Sequence, residues 1–495
     1  MTDVRGDRLD GALLRLIGVT LLGGIMGILD STMVTVAAET LSAEFDRSLS
    51  VISWATTGYL LALTVTIPVT GWAVRRFGVK GLWLFGLVLF MGASLASALS
   101  WSVESLIVFR VVQGVGAGIL DPLVLVILAR AAGPSRAGRV MGMMGVVLSL
   151  GPVLGPVLSG LLLDSFGWRS MFFINIPIGV IALLLALRVI PADASEERRA
   201  GLPLDILGFA LMAPGLAALV LALTEAGERG AFATPTVLVP LVLGAVLLAA
   251  YVVRALRLRG TEPLIDVRLF AGRSFAASVM VQGLVGVGTF AGLFVLPLYY
   301  QIAHGYTAAA GLLVAPLGLG SALAMPIAGR LSDRLGARTL VQGGALIAVA
   351  GAFALTFIGA EGAVVRSALA AFAIGLGLGG VGAPTMGSLY RTLPPEKVPQ
   401  GSSVLYNLNQ LGGALGVACA ALILAASGTA AGAAGGEGGF QNAYRFLVAV
   451  GVVILAASPL LPGRVQGIPS PPPEPSDARP RAAADPPSCA GTERA

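Results

Sequence analysis

Cysteine, histidine and charged residues are all scarce in this sequence. Its 495 residues contain two cysteines and one histidine, and 12% of them are charged, against about 25% in an average soluble domain. Cys419 lies in an apolar run and Cys489 in the tail, so a disulfide framework and a multi-cysteine metal site are excluded. The single histidine, His304, excludes a catalytic histidine cluster. We therefore expect no metal site and no bound cofactor.

Apolar residues, in contrast, make up 56% of the chain. Many apolar runs exceed about 18 residues, the length that crosses a hydrocarbon core as a helix. The net charge of +6 would suggest a nucleic-acid partner for a soluble protein. Here the basic residues lie in short loops between apolar runs, which is the positive-inside pattern of membrane proteins. We expect a helical protein embedded in the lipid bilayer, with no nucleic-acid partner.

The apolar runs predict fourteen transmembrane helices. They lie at about 13–38, 51–74, 81–99, 105–129, 139–163, 170–190, 203–224, 235–255, 274–301, 308–329, 338–359, 363–390, 400–427 and 441–461. The first lacks a small-residue cleavage site, so we expect a retained helix rather than a signal peptide. Pro, Ala and Ser dominate residues 463–495, which we expect to form a disordered cytoplasmic tail.

Basic residues predict the orientation. Alternate loops carry clusters of arginine and lysine, whereas the opposite loops carry five arginines: Arg47, Arg169, Arg229, Arg366 and Arg445. Short loops rich in Lys and Arg stay in the cytoplasm. We therefore expect the clustered loops and both termini to be cytoplasmic, in a protein of the cytoplasmic membrane.

Two loops repeat one pattern. "GWAVRRFGVK" from Gly71 and "GRLSDRLGAR" from Gly329 both place Gly, Arg, Gly and a basic residue at the same spacing. The alternative is chance, since basic loops often contain Gly and Arg. Repeated halves are typical of transporters, and predict six-helix bundles at 1–200 and 261–462 with two inserted helices in 201–260. We expect both loops to act as a conformational gate, formed by Gly71, Arg75, Arg76, Gly78, Gly329, Asp333, Arg334 and Gly336.

Charged residues within membrane helices are the candidate site. Asp30 in helix 1 and Arg110 in helix 4 lie at similar depth, and intramembrane acids and bases normally pair or face a water-filled cavity. We expect both to line a central cavity, with Asp30 as a proton carrier or cation contact and Arg110 adjusting its protonation. The alternative is a static structural ion pair.

Helix 4 carries further polar residues. Gln113 lies one turn from Arg110, and Asp121 lies eleven residues beyond Arg110, about 20° from the same face and about 16 Å along the axis. These residues predict one polar stripe, with Asp121 as a second protonation site. The alternative for Asp121 is a carboxylate that reaches the cytoplasmic interface.

The second half carries amide and aromatic side chains. Such groups around an apolar cavity suit amphipathic substrates, and the predicted cavity residues are Gln113, Gln282, Tyr406, Asn407 and Gln410. Hydrogen bonds between helices are the alternative role for the amides. We expect Tyr299 and Tyr300 in an interfacial aromatic belt.

Several stretches resemble the major facilitator superfamily, and within it the 14-helix drug:proton antiporter family. The two repeated loops look like the signature loop of the superfamily. "RVVQGVGAG" from Arg110 is similar to its helix 4 motif, and "LDSTMVTVA" from Leu29 to the helix 1 motif of drug exporters, whose acidic residue Asp30 matches. "GPVLGPVLSG" from Gly151 resembles the helix 5 antiporter motif through Gly151, Pro152, Gly155, Pro156 and Gly160.

The resemblance implies a fold of two six-helix bundles with two extra helices, and links Arg110 to proton coupling. Arg75 departs from the pattern, because the signature loop usually has aspartate there. Members that work with a periplasmic adaptor also carry a basic residue at this position, so such an adaptor is a candidate partner. Asp121 stands where the family usually has an uncharged residue.

These observations predict proton-coupled export of hydrophobic or amphipathic compounds by a monomer. No nucleotide-binding pattern occurs, so the proton gradient is the expected energy source. The alternatives are a dedicated exporter of one metabolite, lipid or self-made antibiotic, and a proton symporter. Intramembrane charges argue against a receptor or scaffold, and the lack of a nucleophile–base pair argues against an enzyme.

Overall fold

The computed structural model of the chain describes residues 10–192, 203–258, 263–304, 310–357, 364–427 and 436–463. Regular structure in these residues is entirely helical. The long helices, labelled in chain order, are α1 Gly11–Val36, α2 Leu49–Phe77, α3 Val79–Ala98, α4 Val103–Gly133, α5 Arg136–Phe166, α6 Ser170–Val189, α7 Ile206–Arg229, α8 Pro235–Arg257, α9 Arg273–His304, α10 Ala315–Leu335, α11 Ala337–Leu355, α12 Val364–Thr392, α13 Val398–Ala426 and α14 Gly436–Ala457.

The described residues thus contain fourteen long helices, which confirms the predicted architecture. Thirteen of them are long and apolar enough to cross a membrane. The fourteenth, α10, is less apolar because charged residues occupy its last turns, yet it packs between α5 and α12. Its predicted span of 308–329 ends before the observed end at Leu335, and the predicted start at 308 lies outside the described residues. A separate short helix, Ala310–Leu313, precedes it, and Pro316 lies in its first turn, where a missing N–H is tolerated.

The loop predicted between helices 4 and 5 is also wrong. Residues on both sides of Gly133 are helical, and α4 and α5 meet at this kink without an extended connection. Gly133 has φ 64° and ψ 174°, a conformation that glycine adopts without a steric penalty. One residue therefore turns the chain between two membrane-length helices.

Two large apolar clusters lie one in each half of the chain. The first is built from α1–α4 and α6 around Tyr59, Trp83 and Phe90. The second is built from α9–α14 around Tyr300 and Tyr444. Tyr299 and Tyr300 are 2% and 0% exposed, so their predicted place in an interfacial belt is wrong. They pack inside the second cluster instead.

A further cluster connects the two halves with the inserted helices. It includes Met141 of α5, Met212 of α7, Tyr251 of α8, Met386 of α12 and Leu405 of α13. α7 also packs against α2 and α13. The inserted pair is therefore in contact with both halves. The predicted domain limits near residues 200 and 260, and the tail from 464 onward, lie outside the described residues.

Glycines let α4 pass close to its neighbours. A Cβ at Gly114 would overlap the Tyr59 carbonyl oxygen in α2, and one at Gly116 would lie 2.8 Å from the Phe90 nitrogen in α3. Even an alanine would clash with backbone at both positions. These glycines therefore serve helix packing, and they fix α4 in the centre of the first half.

A short segment attaches the inserted helices to the second half. It forms a 3₁₀ turn at Val267–Ala271, and Asp266 accepts a hydrogen bond of 3.0 Å from Lys397 Nζ. Partial burial raises the pKa of Asp266, but the hydrogen bonds from Lys397 and from the Arg268 amide outweigh it and hold that pKa below its usual value. The ion pair ties the segment to the start of α13.

Candidate functional site

Asp30 is the centre of a buried polar network. Its Oδ2 forms an ion pair with Arg110 Nη1, while Oδ1 accepts hydrogen bonds of 3.0 Å from Gln113 Nε2 and 3.0 Å from Asn175 Nδ2. Asp30 is 1% exposed and Arg110 is fully buried. Removing such charges from water is costly unless they are paired and hydrogen-bonded. The network supplies that compensation from three helices, α1, α4 and α6.

Arg110 is held from two further sides. Its Nε donates to the Ala55 carbonyl at 3.2 Å and its Nη1 to Gln113 Oε1 at 3.0 Å. The guanidinium carbon lies 4.2 Å from the centre of the Tyr59 ring, a cation–π distance. Nη2 has no hydrogen-bond partner among the described residues. Asp30 and Arg110 lie within the first half and are buried in this conformation, so their place along a central cavity stays a prediction.

The sequence did not identify Asn175 as a site residue. It lies at the break in α6 between Ser170–Phe173 and Asn175–Val189, and its Nδ2 also donates to Ser94 Oγ of α3 at 3.0 Å. Its signal was an amide inside an apolar helix, which is rarely placed without a partner. Through Asn175, the network around Asp30 extends to a fourth helix.

Asp121 connects the two halves of the chain. It is 4% exposed and accepts a short hydrogen bond from Tyr406 Oη of α13. The alternative that its carboxylate reaches the interface is therefore excluded. Tyr59 lies beside both acids, Asp30 and Asp121. Its ring covers Arg110, the partner of Asp30, and its hydroxyl donates to the Gly27 carbonyl at 3.2 Å, next to Asp121. The predicted stripe of Arg110, Gln113 and Asp121 is buried along its whole length.

The predicted cavity amides take separate positions. Gln282 and Asn407 are 4% and 5% exposed, and neither the Gln282 Oε1 atom nor the two polar side-chain atoms of Asn407 have a partner among the described residues. The interhelical bond comes from Asn409, whose Nδ2 donates to the Gln282 carbonyl at 3.0 Å. Gln410 lines a cleft of about 330 Å³ between α2, α7, α9 and α13. Buried amides normally find partners, so these groups have unused hydrogen-bonding capacity in this conformation.

The repeated loops share one backbone conformation. Gly78 has φ 84° and ψ 165°, and Gly336 has φ 82° and ψ 169°. Both glycines end one helix and begin the next without a spacer. This positive φ favours glycine. The matched geometry supports a true repeat over a chance similarity of basic loops.

Asp333 joins the halves beside the second loop. Its carboxylate accepts hydrogen bonds from the backbone N–H groups of Gly138 at 3.0 Å and Arg139 at 3.1 Å, and from Arg391 Nη1 at 2.8 Å. Both backbone donors lie within six residues of the turn at Gly133, near the start of α5. A Cβ at Gly329 would overlap the Gly138 carbonyl, so α10 and α5 are in direct backbone contact.

Other predicted gate residues lie at the same end of the helices, which we call the basic end. Gly71 of α2 faces Gln400 of α13, and a Cβ added at Gly71 would lie 3.5 Å from Gln400 Cγ. Arg75 and Arg76 are half-buried, and Arg334 is exposed. Contacts between the halves at the basic end include those of α5 with α10 and of α2 with α13.

The helix 5 motif packs against α1. A Cβ at Gly151 would overlap Ile28 Cγ2, and one at Gly155 would overlap Thr32 Oγ1. Gly160 faces open space, so it contributes nothing to this close approach. A bend at Pro152 and Pro156 remains a prediction. The two glycines place α5 on the turns of α1 that flank Asp30.

Known proteins resemble this chain over most of its length. Residues 20–417 match the family model described as Major Facilitator Superfamily. The "Multidrug resistance protein B homolog" of Mycobacterium tuberculosis strain H37Rv is 39% identical over 84% of this chain and 77% of that protein. "Lincomycin resistance protein LmrB" of Listeria monocytogenes is 30% identical over 82% of this chain and 85% of that protein.

Further comparisons agree. "Multidrug export protein EmrB" of Escherichia coli K12 is 33% identical over 67% of this chain and 65% of that protein. The solved structure of a double Trp mutant of XylE superimposes with a TM-score of 0.66 at 17% identity, covering 92% of this chain and 97% of that one; this likeness shows the fold. The chain belongs to the major facilitator superfamily and, within it, to the drug:proton antiporter family.

Proposed function

We propose that the protein exports hydrophobic or amphipathic compounds across the cytoplasmic membrane in exchange for protons, by alternating access. The names of its relatives support export: a multidrug resistance protein homolog, a multidrug export protein and a lincomycin resistance protein. The observation that carries the proton coupling is the buried Asp30–Arg110 pair with its donors Gln113 and Asn175. The proton gradient is the energy source, with no other cofactor.

Protonation of Asp30 changes the charge balance of the buried network. An ionised Asp30 accepts from Arg110, Gln113 and Asn175 at once. A neutral Asp30 no longer balances the guanidinium charge, and a buried charge without a counter-ion is strongly unfavourable. Arg110 must then move or find water. Since α1, α4 and α6 share this network, proton binding at Asp30 changes how these helices pack. Coupling therefore does not require the substrate to contact Asp30.

Asp121 offers a second proton-dependent contact. Tyr406 donates to its carboxylate across the two halves, and hydrogen bonds to charged groups are worth about 1.5–3 kcal/mol. Protonation of Asp121 weakens this contact. We propose that it favours separation of the halves near the middle of α4 and α13.

Contacts at the basic end support one assignment of state. The halves meet there through Asp333 and through the close approach of Gly329 to Gly138. We propose that this end is cytoplasmic, in keeping with the positive-inside rule, and that this conformation is closed toward the cytoplasm. The opposite state requires the Asp333 contacts to break.

Everted membrane vesicles test the exchange. Respiration acidifies their interior, so an exporter that works by antiport accumulates substrate inside and releases protons. We expect ethidium, tetraphenylphosphonium and lincomycin each to dissipate the pH gradient when the protein is present. A response to one compound alone favours a dedicated exporter. Accumulation only under an inverted pH gradient indicates a symporter and contradicts the proposal.

Replacing Asp121 by asparagine tests the second contact. The amide oxygen in Asp121→Asn still accepts from Tyr406, but the side chain cannot titrate, so we expect export to continue with one proton fewer per substrate. The measurement is the ratio of proton to tetraphenylphosphonium flux in liposomes. Tyr406→Phe is the matched control, since it removes the hydrogen bond and leaves the carboxyl group. An unchanged ratio in Asp121→Asn would remove Asp121 from the coupling.

A further inference from the structure

A cleft of about 330 Å³ lies where the inserted helix α7 meets both halves of the chain. Leu60 and Thr64 of α2 form one wall, and Gln410 and Ala414 of α13 form another. Small-molecule sites typically enclose about 300–1,000 Å³. The cleft is therefore large enough for a compact organic ligand, and it is separate from the Asp30 network.

Apolar and aromatic groups form most of its surface. Phe290 and Phe294 of α9 line the cleft together with Val220 and Leu223 of α7. Phe290 packs directly against Gly413, since a Cβ added at Gly413 would lie 2.7 Å from the Phe290 ring. Aromatic faces attract organic cations as well as apolar groups.

One acid lies at the rim of this apolar surface. Glu228, in the last turn of α7, lines the cleft and forms no ion pair among the described residues. Its neighbour Arg229 is held by Glu225, with 2.7 Å between Nε and Oε2. Glu228 therefore supplies the acidic group of an aromatic cleft, near the end of α7 that is opposite the basic end.

We propose that this cleft binds amphipathic organic cations that the protein exports, with the apolar body against Phe290 and Phe294 and the positive group near Glu228. This inference rests on the proposed function and names the site. It also assigns a role to the inserted helix, which supplies the acid. A ligand here touches α2, α7, α9 and α13 together, so its binding favours the arrangement of the halves in this conformation.

Two ions of the same shape and opposite charge test the site. Tetraphenylphosphonium and tetraphenylborate binding to the purified full chain is measured by calorimetry. We expect Glu228→Gln to weaken binding of the cation about tenfold, which corresponds to a loss of about 1.4 kcal/mol in binding free energy. The same substitution should strengthen binding of the anion. Glu39→Gln, which removes an exposed acid outside this cleft, should change neither. Ala414→Trp fills the cleft and should weaken both.

If Glu228→Gln lowers the affinity for both ions equally, the proposal is overturned, because such a result reflects a structural disturbance of the cleft. Amine-bearing lipids share the chemistry of the site, and transport in liposomes separates the two sources. We expect Glu228→Gln to slow tetraphenylphosphonium export in step with its binding. Weakened binding with unchanged export would indicate a lipid and contradict the proposal. Wild-type protein that binds the cation at Glu228 but transports none would contradict the export function and leave the binding site intact.

Discussion

Proton-driven export is expected to disappear when Asp30 is replaced by asparagine. The amide in Asp30→Asn keeps hydrogen-bonding capacity toward Gln113 but carries no charge and no proton to exchange. Arg110 is then buried without its counter-ion, at a cost of about 3–5 kcal/mol in folding free energy. We expect no pH-driven accumulation of tetraphenylphosphonium in liposomes, while exchange of labelled for unlabelled cation at equal pH continues.

A second variant separates coupling from folding. Asp30→Asn combined with Arg110→Gln removes both charges, so we expect its thermal stability to recover toward the wild-type value. Proton-driven export should stay absent, because the titrating group is still missing. Asp30→Glu, which keeps the acid, should retain part of the activity. Wild-type export by the double variant would exclude Asp30 and Arg110 from the mechanism.

Alanine at position 333 is expected to open the basic end of the protein. It removes three hydrogen bonds that Gly138, Arg139 and Arg391 donate to the carboxylate. Since a bond to a charged group contributes about 1.5–3 kcal/mol and about 1.4 kcal/mol is a tenfold change, losing either of the two bonds to α5 should shift the conformational equilibrium at least about tenfold. Export should fall because the state closed at this end is rarely reached.

Spin labels measure this shift directly. Cysteines at Leu187 and Leu335, both exposed near the basic end, report the separation of the halves in a background without Cys419 and Cys489. We expect a longer distance in Asp333→Ala than in wild type. Glu396→Ala removes an exposed acid at the same end and should leave the distribution unchanged. Equal distances in all three proteins would mean that Asp333 does not hold this end closed.

Much of the architecture follows from composition and periodicity. Apolar runs of membrane length predicted fourteen helices, and the basic loops revealed the repeat through Gly78 and Gly336. The sequence also placed Asp30 and Arg110 at one depth, where opposite intramembrane charges either pair or face a cavity, and the structure shows them paired. These features depend on local pattern or on strong electrostatics, and both are visible without coordinates.

Other features depend on packing that a single sequence does not encode locally. The direct passage from α4 to α5 required one glycine conformation at Gly133, and the loop prediction overlooked it. Tyr406 was identified as a cavity residue, but its partner Asp121 lies 285 positions away. Asn175 carried only the weak signal of an amide in an apolar helix. The cleft that Glu228 lines depends on the position of α7 between the halves. No motif predicts that position, so the sequence did not reveal the cleft.

Proton release on substrate binding tests the central claim most directly, since linkage is reciprocal: if protonation weakens substrate binding, substrate binding must release protons. The measurement adds tetraphenylphosphonium to the purified protein in weakly buffered detergent solution and follows a pH indicator dye. We predict proton release by wild-type protein and much smaller release by Asp30→Asn, with the cation still bound in both. Equal release by the two proteins, or none by wild type, would contradict the proposed coupling through Asp30.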